Sequence, residues 1–257
     1  MSDFDIQESF HNIGIKKNDI VMIHGDAGVA AQYLEISANR KVDFLIEQIK
    51  DYFSEGGTIL VPAFSYSFTK NEDFDSKNTK STVGLFSENF RKSDDVDRTK
   101  HPIFSISTWG KLKDDFQNGT ILDCFGPDTF FEKLFERDVK LITLGCDFSS
   151  LTFVHYVEQK KQVSYRYLKS FSGCVIDSDQ EVNVTTEYYV RDLSLKTSCN
   201  LSLLCEKAKE EKLMSSGTAG RFPLHAIKAS NFFRLAMELL DHDEYSLIDE
   251  GVNSSEI

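Results

Sequence analysis

The chain has 257 residues, 40% of them hydrophobic and 27% charged, with a net charge of −12. That balance supplies enough apolar material for a large core and excludes a disordered chain; the acid excess excludes general nucleic-acid binding, which rests on Lys and Arg displacing counterions from phosphates. Five cysteines without a CxxC pair exclude a disulfide framework and a cysteine zinc site, and no run approaches the ~18 apolar residues of a membrane span, so a cytoplasmic protein without membrane contact is expected.

The first clear element is the apolar run Asp19 to His24, read as a buried strand that enters a loop at Gly25. Ligands of open α/β sheets gather beyond such strand ends, which makes the loop starting at His24, Gly25 and Asp26 a candidate site. From Val42 to Phe53, apolar residues recur at Val42, Leu45, Ile46, Ile49 and Phe53, the spacing of a helix with one buried face, and Gly56-Gly57 ends it. Thr58 to Pro62 is a second strand closed by its proline. Strand, helix and strand form a βαβ unit.

Residues 64–98 are polar, with a short helical pattern near Val83 to Phe90; so long a connection often carries function and is read as a substrate-side loop. Phe125 to Asp128 reads as a turn leading into a helix, with Pro127 near its first turn. A third strand covers Val139 to Gly145, and a helix covers Thr152 to Lys161. Strand-like stretches at Phe171 to Ile176 and Val182 to Val190 precede helices near Leu201 to Leu213 and Ala229 to Leu240. No linker divides residues 1–240, which are expected to form a single α/β domain. Residues 241–257 carry six acids and no Lys or Arg, and are expected to be a flexible acidic tail.

The chemistry concentrates at Thr152, His155 and Glu158, spaced i, i+3 and i+6 on one broad helical face. An imidazole that titrates near neutrality can take a proton from an attacking amine, and a carboxylate can orient the ring and stabilise its cation. HxxE alone is common as a structural pair. His101 and Ser105 lie in a turn around Pro102, Asp75 lies in the polar loop where it could face an amine, and Cys146 offers a nucleophile that is more often a buried structural thiol. His24, His101, His155 and Asp75 could also be metal ligands, although their spacing fits no standard zinc pattern.

Taken in order, these segments resemble the aminoglycoside 3-N-acetyltransferase family over roughly residues 10 to 240. The resemblance is carried by Asp19 to His24, Gly56-Gly57-Thr58, Val61 to Ser65, Phe68 to Asp75, Gly84 with Ser87-Glu88, His101-Pro102 with Ser105 and Gly110, Phe125-Gly126, Leu144-Gly145, Thr152 with His155 and Glu158, and Tyr165-Arg166. It implies an α/β fold with a mixed central sheet flanked by helices, distinct from the GNAT acetyltransferases. It also implies an acyl-CoA co-substrate, no metal, and direct transfer of the acyl group to an amine.

By the same resemblance His155 matches the general base, Glu158 the acid one turn later, and Asp75 an acid near the substrate amine. His24, Gly25, Asp26, His101, Ser105 and Thr152 match positions around the thioester and pantetheine, and Tyr66, Tyr165 and Arg166 fall on the acceptor side. The chain departs from the family at Gly25-Asp26-Ala27, where two serines and a leucine are usual, which leaves the acyl group open to acetyl or a short hydroxyacyl such as 3-hydroxybutyryl.

Lys160, Lys161, Arg166 and Lys169 fall within Gln159 to Ile176 with no acid among them, and could neutralise a pyrophosphate. On that ground the expected acceptor is an amino-sugar nucleotide, a dTDP-linked amino-deoxysugar used for surface polysaccharide; an aminoglycoside antibiotic is the alternative. A homo-oligomer is compatible with the sequence but not specified by it.

Overall fold

The structure, a computed structural model, describes residues 4–178, 180–195 and 197–250. Its centre is the expected βαβ unit: β1 (Ile20–Gly25), α2 (Lys41–Phe53) and β2 (Thr58–Pro62), preceded by α1 (Ile6–Asn12). β1 and β2 are parallel, with Ile20 opposite Thr58 and Met22 opposite Leu60. Every residue of β2 is buried, as in a strand covered on both faces, and such strands read as continuous apolar runs. Leu45, Ile46, Ile49, Tyr52 and Phe53 are the buried face of α2, each of the aliphatic ones stabilising by about 1.5–3 kcal/mol relative to exposure.

The chain continues through β3 (Phe74–Asp75), α3 (Leu85–Lys92), β4 (Asp97–Arg98), β5 (Ile106–Gly110), α4 (Phe130–Glu136), β6 (Lys140–Leu144) and α5 (Val154–Lys161). A long hairpin follows, β7 (Arg166–Asp177) and β8 (Gln180–Arg191), then β9 (Thr197–Cys199), α6 (Ser202–Glu210), β10 (Met214–Ala219), β11 (Phe222–Lys228), α7 (Ala229–His242) and β12 (Ile248–Glu250). The main sheet is mixed, in the order β10-β11-β6-β1-β2-β5-β4. β1 is parallel to both β2 and β6, while β5 and β11 run antiparallel to their neighbours.

Strand alternation assigns the two faces. Met22, Leu60, Leu141 and Ile227 join Leu134, Val157, Phe232 and Leu235 from α4, α5 and α7. Val21, Ile23, Ile59, Val61, Ile142 and Leu144 join Ile6, Phe10, Leu45, Ile49, Phe86 and Phe90 from α1, α2 and α3. Since β1, β2 and β6 share one direction, Gly25, Pro62 and Leu144 finish at the same edge of the sheet, and the loops beyond them converge there.

Several expectations are corrected. The helix after β6 begins at Val154, so Thr152 belongs to the turn that enters it, where its carbonyl accepts the His155 N–H at 3.0 Å. The helix expected to reach Leu213 stops at Glu210, and Met214–Ala219 forms an edge hairpin with β11 that the sequence reading left unassigned. The polar loop is tied down by Arg98, whose guanidinium donates to the Ala63 carbonyl at 2.6 Å and the Ser105 hydroxyl at 3.0 Å, and lies 4.8 Å above the Phe74 ring.

The acidic end is not a free tail over residues 241–250. Leu247 is fully buried, Asp241 pairs with Lys161, Glu244 accepts from the Ser164 backbone at 3.1 Å, and β12 pairs antiparallel with β9. Acids that look solvated in the sequence are here anchored by a cation, by backbone donors and by the apolar residues between them. Residues 251–257 lie outside the described residues.

Candidate active site

The three converging strand ends and the long loop enclose a cavity of about 260 Å³ lined by His24, Gly25, Pro62, Phe64, Tyr66, Val83, Ser87, Cys146, Ser150 and Thr152. Two glycines let the loops close. A Cβ at Gly25 would stand 2.6 Å from a Phe86 ring carbon, and Gly145, at φ +77°, would place one 2.5 Å from Val29. Tyr66 holds a left-handed φ of 56°, uncommon for a bulky residue and frequent at functional sites. Burial raises its hydroxyl above the usual tyrosine range.

His24 is buried, and burial pushes its ring down to about 3, so it is neutral at physiological pH. The Thr152 backbone N–H faces its Nε2 at 3.4 Å and the Thr152 hydroxyl lies 3.3 Å from the same atom. Accepting there assigns the proton to Nδ1, which is buried without a partner among the described residues. Unpaired polar atoms of this kind are costly to bury.

His155 stands at the start of α5, three residues beyond Thr152. Its Nδ1 lies 2.6 Å from Glu158 Oε2. So short an approach of carboxylate to ring nitrogen requires a proton between them, which leaves Nε2 as the free basic nitrogen. The side chain keeps 19% exposure while Glu158 keeps none, so the ring is reachable and its partner is not. The Phe125 ring packs edge-on, 5.7 Å between centroids.

Glu158 also accepts the Tyr165 hydroxyl at 3.0 Å and meets Arg166 Nε at 2.7 Å. That last contact is off the N–H axis, and Nε has no linear acceptor; it is a charge contact, while the guanidinium donates to the Tyr189 carbonyl at 3.2 Å and lies 2.9 Å from His155 Nδ1. Burial pushes the Glu158 carboxyl up, but His155, Arg166 and the Tyr165 hydroxyl outweigh it and hold it below the usual value. Burial, then Arg166, lowers His155 below the usual imidazole value against the pull of Glu158.

Other candidates have structural tasks. His101 is buried, its Nδ1 accepting the Ile103 and Phe104 N–H groups at 3.2 and 3.0 Å and its Nε2 facing the Asp123 carbonyl at 3.2 Å, so no nitrogen is left for a co-substrate. Ser105 is fully buried and donates to the Ala63 carbonyl at 2.7 Å while accepting from Arg98. Asp75 accepts the Lys77 and Asn78 N–H groups, each at 2.8 Å, and so holds a turn; the acid that meets His155 is Glu158.

Tyr165 is fully buried and Arg166 nearly so; both stand behind Glu158 and cannot touch an acceptor. Asp26 caps the short 3₁₀ helix Ala27–Gln32 by accepting the Gly28 N–H at 2.6 Å. The Cys146 thiol donates to the His24 carbonyl at 3.2 Å and burial raises its pKa, the reverse of an activated nucleophile. Among the described residues no three His, Cys, Asp or Glu side chains converge as a metal group would.

Three of the four cations of the basic stretch meet acids. Lys160 meets Glu132 at 3.0 Å, Lys161 meets Asp241, Arg166 meets Glu158, and Lys169 lies 5.1 Å over the Phe171 ring. The sequence separates these cations from their acids by as much as 80 positions, and so presents them as a free cluster. Conversely Ser87, which entered the resemblance, and Ser150, which no sequence signal singled out, both stand on the cavity wall.

The site thus combines a helix-covered mixed sheet, a part-buried imidazole backed by a buried carboxylate, and a small cavity whose lining reaches Thr152, three residues before His155, but not His155 itself. The family model for aminoglycoside 3-N-acetyltransferase matches residues 30–241, and the chain belongs to that family. It is 26% identical over 178 residues to the SPbeta prophage-derived aminoglycoside N(3')-acetyltransferase-like protein YokD of Bacillus subtilis (strain 168), a match covering 60% of this chain and 64% of that protein. The chain therefore spans just under two thirds of that relative's length. It is 24% identical to aminoglycoside N(3)-acetyltransferase IV of Salmonella sp, covering 77% of this chain and 74% of that one.

In three dimensions the YokD crystal structure from Bacillus subtilis superposes with a TM-score of 0.76 at 20% identity, over 93% of both chains. AAC-IIIb, solved as a binary complex with CoASH, gives 0.76 at 16% identity, covering 96% of this chain and 97% of that one. The expected fold class holds: it is that of the aminoglycoside acetyltransferases and not GNAT.

Proposed function

We propose that this protein is a cytoplasmic acyl-CoA-dependent N-acyltransferase that acylates an amino group of a cationic, aminoglycoside-type amino sugar, with His155 as general base. The observation that carries the reading is the 2.6 Å contact of His155 Nδ1 with the buried Glu158 carboxylate, which leaves a neutral, reachable Nε2. In the reaction the amine nitrogen bonds to the thioester carbonyl carbon, the C–S bond breaks, and the proton taken by Nε2 passes to the departing sulfur. The hydroxyls of Ser87, Ser150 and Thr152 are the donors available on the cavity wall for the acyl oxygen and the pantetheine arm.

A cavity of about 260 Å³ is below the ~300–1,000 Å³ of sites that engulf drug-sized ligands. It suits the thiol end of pantetheine with a short acyl group, in line with acetyl or 3-hydroxybutyryl cargo. The acceptor expected from the sequence, a dTDP-linked amino-deoxysugar, rested largely on a basic stretch in which Lys160, Lys161 and Arg166 meet acids of the chain. It becomes the second reading, supported by the altered loop at Gly25-Asp26-Ala27. The net charge of −12 and the family membership support a polycationic acceptor.

Thiol release tests both readings. Acetyl-CoA and 3-hydroxybutyryl-CoA are each offered with kanamycin-type aminoglycosides and with dTDP-3-amino-3,6-dideoxyhexoses. Turnover confined to the sugar nucleotides would reverse the choice of acceptor. His155→Asn is expected to lower kcat by roughly 10²–10⁴-fold, the range of general-base catalysis; an unchanged rate would remove the mechanism.

A further inference from the structure

Arg166 has no access to an acceptor, yet its guanidinium sits against both members of the His155–Glu158 pair: Nε is 2.7 Å from Glu158 Oε2 and a terminal nitrogen is 2.9 Å from His155 Nδ1. We propose that Arg166 is a positioning residue which keeps Glu158 ionised, holds the His155 proton on Nδ1, and keeps the ring a weak base so that it surrenders its catalytic proton readily. The proposal rests on the acyl-transfer reading above, since it concerns the base of that reaction.

A carboxylate with no exposure would ordinarily be protonated, because burial penalises the charged form. A protonated Glu158 could not accept at Oε2 as an anion, and the ring would be free to flip its tautomer. The cation of Arg166 prevents this, and the Tyr165 hydroxyl fills Oε1 at 3.0 Å, so that both oxygens are committed. The opposite tautomer, with Nδ1 accepting from Arg166, would set an imidazole lone pair against a carboxylate oxygen at 2.6 Å with no proton between them.

The second effect concerns the imidazolium. In a simple carboxylate–imidazole pair the acid strengthens the base. Here the carboxylate charge is already countered, so a protonated ring would gain little from Glu158 and would lie 2.9 Å from a guanidinium nitrogen. The charged and titratable groups that bear on the ring are Glu158 on its own helix, Arg166 from β7 and Arg191 from β8, with the Tyr188 hydroxyl beside Arg166; the Phe125 ring, packed on the ring from the loop before α4, carries no charge. Two cations face one acid. The ring therefore remains the free base to lower pH, and the proton that Nε2 takes from the amine is released to the coenzyme A thiolate as the C–S bond breaks.

The test uses ¹⁵N-histidine-labelled protein, with the His155 ring assigned through His155→Asn, titrated as wild type, Arg166→Gln and Arg166→Lys. The wild-type ring is expected to be neutral at pH 7 with its proton on Nδ1. Arg166→Gln should raise its midpoint by about one unit or more, a tenfold change in proton affinity, and Arg166→Lys should lie nearer the wild type. The acid limb of kcat/KM should move upward by the same interval, which a merely structural loss of activity would not produce.

An Nε2–H tautomer in the wild type, or a midpoint unmoved in Arg166→Gln, overturns the proposal. Should Arg166→Gln fail to fold, the wild-type tautomer decides, together with Arg166→Lys, whose His155 midpoint far above the wild type would count against it. The ring titration needs no substrate. An active His155→Asn would thus remove the catalytic reading alone, whereas an unmoved midpoint with an inactive His155→Asn removes only the role of Arg166.

Discussion

Replacing Glu158 by glutamine tests how the proposed base, His155, is supported. Glutamine keeps the shape but removes the charge, so Arg166, whose side chain is 5% exposed, would be left without its counter-ion. Breaking a buried ion pair from one side costs about 3–5 kcal/mol, most of it the penalty of the stranded charge. The Tyr165 and His155 hydrogen bonds to the carboxylate would weaken to neutral ones, with a further cost of about 1 kcal/mol. The double variant Glu158→Gln/Arg166→Met removes the stranded cation together with its partner, and should recover about 2–3 kcal/mol of the loss. Urea unfolding, followed by far-UV circular dichroism and by the single tryptophan, Trp109, measures all three proteins. A cost below about 1 kcal/mol for Glu158→Gln, or simple additivity in the double variant, would refute the claim that these two charges are one buried unit.

Three further outcomes follow from other positions. Unfolded histidine takes up a proton near 6.5, whereas folded His24 and His101 resist until about 3 and 4; the stability they contribute is intact above pH 6.5 and is lost as pH falls. Between pH 7 and pH 5 the pair should cost about 3–4 kcal/mol in unfolding free energy, and a flat urea midpoint over that interval would contradict their neutral burial. Gly25→Ala drives a Cβ into the Phe86 ring and should destabilise by about 1–3 kcal/mol, with partial rescue by Phe86→Leu if the clash is the cause. Asp75→Ala should lose about 1 kcal/mol of turn stability and keep acyl transfer within about twofold of wild type; a loss of orders of magnitude would return Asp75 to the reaction.

The parts of the fold legible in the sequence are those where one residue type repeats at a fixed interval. The apolar run of β1, the 3.6-residue face of α2 and the fully buried β2 announce themselves because helices cover both sides of the sheet. Met214–Ala219 does not: between its two buried ends it is a sheet edge of Ser215, Ser216, Gly217 and Thr218, and its pairing with β11 decides its conformation. The contact of His155 with Glu158 was legible because one helix turn brings the two side chains together. His101 and Ser105 misled because a satisfied buried polar group and a ligand-binding one look alike until their partners are known. Arg166 misled in the other direction, since its partner on α5 is invisible without the turn that folds β7 back along the helix.

The packed end of the chain has a consequence for how the site comes into being. Asp241, Glu244 and Tyr245 grip the short connection from α5 to β7, through Lys161, Ser164 and Tyr165, and β12 fastens that grip to β9. The same connection carries Tyr165 and Arg166 to Glu158. During synthesis, then, the histidine emerges more than eighty residues before the segment that steadies its surroundings. A nascent chain halted near residue 240 would own His155, Glu158 and Arg166 and still lack the contacts that hold the connection between α5 and β7.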